Sequence, residues 1–173
     1  MRILVTGGVR SGKSRHAEDL LRGEPSVTYV APGPVHDDAD WAARVAAHRS
    51  RRPAGWTTLE TGDLAQALRS PGPVLVDCLG TWLTRVVDEA GLWTAEAEAV
   101  ADHVDARVAD AVAALADRLD DQVVLVTNEV GLGVVPEHRS GRLFRDLLGV
   151  VNQRVGAACD EVHLVVAGRV LRL

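Results

Sequence analysis

Residues 1–21, MRILVTGGVRSGKSRHAEDLL, constrain the fold more than any other part of the chain. The apolar run Ile3-Leu4-Val5 reads as a buried strand, and Lys13 to Leu21 reads as a helix. Between them GGVRSGKS, residues 7–14, satisfies every fixed position of G-x-x-x-x-G-K-[ST]. A strand before and a helix after are the context that motif requires. Glycines let the backbone curl until its N–H groups converge on an anion. The following helix adds its positive end. In this reading Gly7, Gly8, Val9, Arg10, Ser11 and Gly12 cradle phosphates. Lys13 brings a point charge to the outer ones, and the Ser14 hydroxyl is placed to ligate Mg2+. The expected occupant is a nucleoside triphosphate.

The rest of the chain repeats the alternation of strand and helix. Strands are expected at Val27–Val30, 56–60, Val74–Val76 and Val123–Val126. Two more, Val162–Val166 and Val170–Leu173, are expected to be joined through Gly168-Arg169. Helices are expected at about 40–49, 63–68, 95–119 and 139–158. The long one carries Val104, Val108, Val112, Leu115 and Leu119 at helical spacing. The segment 79–94 gives no clear pattern. Few of the strand runs alternate apolar with polar, as in strands covered on both sides. The fold class expected is α/β: a mainly parallel central sheet flanked by helices. With 173 residues and no linker, repeat or low-complexity tract, a single domain spanning 1–173 is expected.

The net charge of −5 and 3% aromatic content argue against a nucleic-acid surface. No stretch has the roughly 20 apolar residues a membrane helix needs. The first apolar run stops too early for a signal peptide, so a cytoplasmic location is expected. Cys78 and Cys159 stand far apart in no metal-binding spacing and read as buried thiols.

A phosphate loop of this kind needs an acidic partner for its metal, commonly at the end of another buried strand. Asp77, closing PVLVD, is the first candidate, and Glu129, after VVLVTN, is the second. The alternative is that Asp77 serves only to cap the segment that follows it.

The stretch ARVAAHRSRRP, residues 43–53, stands out next. His48 shares a helical stripe with Trp41, Arg44 and Val45, which alone would suit a packed histidine. Arg49, Arg51 and Arg52 suit phosphate through paired hydrogen bonds. Their charges would keep a neighbouring imidazole neutral. A neutral imidazole beside bound triphosphate is a competent nucleophile toward phosphorus. His16, His36, His103, His138 and His163 offer no comparable setting, and no zinc site is expected.

GGVRSGKS, ARVAAHRSRRP, VLVDCLGTWLT and the long block TNEVGLGVVPEH through Gly168 together resemble the bifunctional adenosylcobinamide kinase / adenosylcobinamide-phosphate guanylyltransferase family of cobalamin biosynthesis. The likeness runs through nearly the whole chain in order. It implies a RecA-like P-loop fold, ATP or GTP as substrates, adenosylcobinamide as acceptor, and a homotrimer. It implies two reactions. A terminal phosphate passes to the aminopropanol hydroxyl of adenosylcobinamide. A histidine then takes GMP from GTP and delivers it to the new phosphate. The family's nucleophile falls on His48. Its nucleotide contacts fall on the phosphate loop, on Ala31, Pro32 and Gly33, on Arg49, Ser50, Arg51 and Arg52, on Glu60 and on Asp77. Relatives usually carry a threonine or serine where this chain has Pro32, so a hydroxyl contact is lost and the loop is stiffer. Gly80 and Arg85 stand where the family more often has Thr and Asn.

Two other readings fit parts of the sequence. A kinase for some other small molecule would explain the loop and Asp77, but not the histidine-arginine run. A nucleotide-dependent switch would need γ-phosphate-responsive loops, and the guanine-reading N-K-x-D pattern is absent.

Overall fold

A computed structural model describes residues 1–33, 52–118 and 121–173. The strands are β1 (Arg2–Gly7), β2 (Thr28–Ala31), β3 (Thr57–Glu60), β4 (Val74–Asp77), β5 (Val123–Val126), β6 (Glu161–Val166) and β7 (Arg169–Arg172). The helices are α1 (Lys13–Leu20), α2 (Leu64–Leu68), α3 (Leu79–Glu89), α4 (Ala97–Ala116) and α5 (Arg139–Ala157), with a 3-10 turn at Leu92–Thr94. The helix expected at about 40–49 lies outside the described residues.

The strands form one sheet in the order β3-β2-β4-β5-β1-β6-β7. Every pairing is parallel except β6 with β7. The expected mainly parallel sheet with an antiparallel terminal strand is therefore present. β1 sits between β5 and β6, and Ile3, Leu4 and Val5 are almost wholly buried.

Side chains alternate across a strand, so each run feeds two cores. Leu4, Val30, Val76 and Leu125 face one way and pack with α2, α3, α4 and α5. Ile3, Val5, Tyr29, Leu75 and Val126 face the other way and pack with Ala17 and Leu21 from α1 and its end. Two covered faces explain why the strand sequences lack polar alternation.

The unclear segment 79–94 resolves into α3 and the 3-10 turn. Leu79, Trp82, Leu83, Val86 and Val87 form its buried stripe. Its start is fixed by Thr81, whose Oγ1 donates to the Cys78 carbonyl (2.9 Å) and accepts from the Cys78 N–H (3.4 Å). The β6–β7 turn is centred on Ala167 and Gly168 at φ 49° and 75°, one residue earlier than expected. Two consecutive positive φ values match the twist of a two-residue hairpin, which moves Arg169 into β7.

Candidate active site

Parallel strands deliver their C-terminal ends to one rim, where open α/β sheets bind ligands. The register sets Val5 against Val126 and Val126 against Asp77. It pairs Val30 with Val76, and Ala31 with Glu60. Glu60, Ala31, Asp77 and Val5 thus share one level, with the phosphate loop rising just beyond it. At the usual strand spacing Asp77 and β1 are about 10 Å apart, with β5 between.

The loop itself is wound by two left-handed residues, Arg10 at φ 56° and Gly12 at φ 98°. Gly12 is also the N-cap of α1, where no side chain caps the first turn and no acidic residue occupies it. The orphan amides of a helix start are therefore left for an incoming anion. Lys13 Nζ donates to the Gly8 carbonyl (3.2 Å), folding back over the loop. The Ser11 hydroxyl is buried, with no partner among the described residues.

Gly7 is required by close approach. A Cβ there would lie 2.4 Å from the Val165 carbonyl oxygen and 2.7 Å from Ser11 Oγ. Backbone cannot yield cheaply, so Gly7→Ala is expected to cost about 2 kcal/mol or more. Urea unfolding of the variant beside wild type measures this.

Asp77 accepts a hydrogen bond from the Tyr29 hydroxyl (3.0 Å). Burial, and then the Asp77 charge, push the Tyr29 phenol well above its ordinary value, so it stays protonated and donates. Arg52 lies over the same ring, Cζ 3.2 Å from its centroid, and donates to Thr58 Oγ1 (3.0 Å). Arg52, Tyr29 and Asp77 thus form one connected group, and Tyr29 carried no polar signal inside its apolar run. Arg52 also lines a cleft of about 120 Å³ with Arg15, Arg22 and Trp56.

Pro32 is buried, and a Cβ on Gly33 would sit 2.8 Å from the Thr81 Cβ. Glycine there lets the loop after β2 lie against the start of α3. Glu129 borders the phosphate loop, since its N–H donates to the Gly7 carbonyl (3.2 Å). Its Oε1 accepts from the N–H of Gly131 (3.4 Å). Asn152 ties this edge to α5: it accepts from Thr127 Oγ1 (2.6 Å) and donates to the Asn128 carbonyl (3.0 Å).

His48, Arg49, Ser50 and Arg51 lie outside the described residues. Among those described, no group of three or more His, Cys, Asp or Glu could hold a metal ion. Both cysteines are free thiols, and burial raises each above its ordinary value, Cys159 to about 12. Neither is a poised nucleophile. No described helix is long and apolar enough to cross a membrane.

Residues 3–173 match the family model described as cobinamide kinase / cobinamide phosphate guanyltransferase. The chain belongs to this family. It is 44% identical to the bifunctional adenosylcobalamin biosynthesis protein CobU of Salmonella typhimurium and 43% identical to CobU of Escherichia coli, with 97% of each chain covered in both cases. The bifunctional adenosylcobalamin biosynthesis protein CobP of Pseudomonas aeruginosa is 38% identical, over 97% of this chain and 94% of its own. A solved structure of the P4 protein from bacteriophage phi6 in complex with ADP covers 98% of this chain and 53% of its own. Its TM-score is 0.40 at 16% identity, a likeness too slight to carry a conclusion. Membership in the cobinamide kinase / guanyltransferase family gives the phosphate loop and its acidic rim a reaction to serve.

Proposed function

We propose that this chain phosphorylates the aminopropanol hydroxyl of adenosylcobinamide with ATP or GTP. It then transfers GMP from GTP to that phosphate, giving adenosylcobinamide-GDP. The observation that carries this is the family match over residues 3–173, which spans the phosphate loop, His48 and the 127–168 block in one frame. A single domain then carries both reactions.

The loop amides of Gly7 to Gly12 and the uncapped start of α1 hold the triphosphate. Lys13 leaves the Gly8 carbonyl for the phosphate oxygens. Phosphoryl transfer needs mainly positioning and charge neutralisation, which these groups supply. Ser14 and Asp77 offer hard oxygen donors of the kind Mg2+ prefers. That ion takes one or two protein ligands plus phosphates rather than an all-protein cage. They would hold it, and when bound it neutralises charge on the phosphates. Tyr29 orients the Asp77 carboxylate. Ala31, Pro32, Gly33 and Glu60 border the nucleotide along the same rim, with Arg52 held in place on Tyr29.

In the second reaction a nitrogen of His48 forms a bond to the α-phosphorus of GTP as the bond to the bridging oxygen breaks and pyrophosphate departs. An oxygen of the cobinamide phosphate then displaces the histidine. Arg49, Ser50 and Arg51 flank that nucleophile and meet the departing charge. Splitting one displacement into two through a covalent intermediate eases each.

The family's homotrimer fits a surface on which Leu132, Val134 and Val135 are 87%, 95% and 60% exposed. Two free thiols suit a reducing cytoplasm.

The test is incubation of the purified protein with adenosylcobinamide, ATP and GTP labelled at the α-phosphate. Label is expected in the corrinoid product. In the absence of corrinoid it is expected on the protein, in a bond labile to acid and stable to base. Hydrolysis that ignores added cobinamide, with no labelled protein, would leave only a nucleotide binder.

A further inference from the structure

The β6–β7 hairpin meets the phosphate loop at its tip and α1 deeper in. At its tip the Gly168 N–H donates to the Ser11 carbonyl (2.8 Å), and a Cβ on Gly12 would lie 3.5 Å from Gly168 Cα. Deeper in, His163 is 1% exposed and stands between α1 and its own strand. Its Nδ1 is 2.9 Å from His16 Nε2, and its Nε2 is 2.7 Å from Glu161 Oε2. The two rings are tilted by 41°, with centroids 5.1 Å apart, so the contact is a hydrogen bond and not a stack.

The direction of these bonds follows from the groups. A carboxylate only accepts, so His163 Nε2 donates to Glu161. The Nδ1 of a neutral His163 is then an acceptor for the His16 Nε2–H. The other charged groups facing His16 are Asp19 on α1 and Arg172 on β7. Arg172 is the register partner of His163.

An apolar pair would fill this space without the cost of burying the His163 imidazole and half-burying that of His16. A hydrogen-bonded chain does what apolar contact does not: it fixes one rotation of the helix against the sheet. His16 is three residues beyond Lys13, on the same side of α1. It directly precedes Ala17, which is buried against the sheet.

We propose that His163, braced by Glu161, is a positioning residue for the nucleotide site: through His16 it sets the rotation of the first turn of α1, and with it Lys13 and Ser14. The proposal rests on the reading of the loop as a triphosphate cradle.

The test is titration with a fluorescent GTP analogue and Mg2+, alongside kinase kcat and KM, at a temperature where near-UV dichroism shows each variant folded. His16→Phe and His163→Phe are each expected to weaken nucleotide binding about tenfold, and the double variant no further than either, as residues acting in one chain do. Glu161→Gln keeps an acceptor and is expected to bind like wild type. Glu161→Ala is expected to lose as much as His163→Phe. Glu161 lies at the surface end of the chain, so its two variants decide the matter even where His163→Phe does not fold. Binding within twofold of wild type in the histidine and Glu161→Ala variants overturns the proposal, as do losses that multiply independently or a Glu161→Gln no better than Glu161→Ala. Lys13→Ala is the control. Unchanged binding there overturns the cradle reading itself, whereas a loss there with intact histidine variants overturns only the positioning role.

Discussion

Lys13→Ala is expected to lower both transfers together, each by about 10²- to 10³-fold in kcat/KM, the usual result of removing one charge aimed at a developing phosphate oxyanion. The structure gives the reason that both must fall. The described residues hold one glycine cradle, at the end of the interior strand β1, and Lys13 folds over it onto the Gly8 carbonyl. The amides of the first turn of α1 survive the substitution, and no side chain occupies them. Nucleotide should therefore still bind weakly, with KM raised and kcat lowered. The measurement is the rate of labelled γ-phosphate transfer to adenosylcobinamide, and of labelled α-phosphate transfer to its phosphate. Loss of one rate with the other intact would mean two separate triphosphate sites, and the single-cradle account would be wrong.

His48→Ala is expected to split the two activities. Guanylyl transfer should fall on the order of 10⁴-fold or more, the scale of losing a covalent nucleophile, and no label from α-labelled GTP should remain on the protein. Phosphorylation of the hydroxyl needs no such nucleophile in the proposed reading, where its parts are the cradle, Lys13, Ser14 and Asp77. It should persist. Among the described residues neither thiol is a competitor, because burial pushes both up, and the His16 imidazole is hydrogen-bonded to His163. Full labelling of the alanine variant would transfer the role to another residue.

The parts of this molecule that could be read in advance are those where local chemistry and global placement agree. GGVRSGKS demanded a strand, a turn and a helix, and β1, the left-handed loop and α1 supply them. PVLVD ended a strand at the rim, where Asp77, the last residue of β4, pairs with Val126 and is only partly buried. The segment 79–94 was opaque for an equally local reason. Its helix starts at Cys78 with Thr81 bonding back, a pairing outside the usual Ser/Thr and Glu pattern. Gly80 and the β-branched Val86 and Val87 dilute its helical propensity. The hairpin turn was placed one residue late because Ala167 takes a positive φ that favours glycine or asparagine. Tyr29 and His163 were hidden altogether. Each sits inside an apolar run, and its contact comes from an element distant in sequence: Asp77 on β4 for the one, and His16 on α1 for the other.

The position of β1 bears on how the molecule is made. It is the earliest of the described strands in chain order, yet its neighbours begin at Val123 and Glu161, and the amide that props Ser11 belongs to Gly168. The chain must be synthesised through Gly168 before the cradle is complete. Bound nucleotide, which stabilises only the finished state, gives a nascent chain no help. Until then both edges of an apolar strand stay open to wrong partners, the situation in which chaperones are needed.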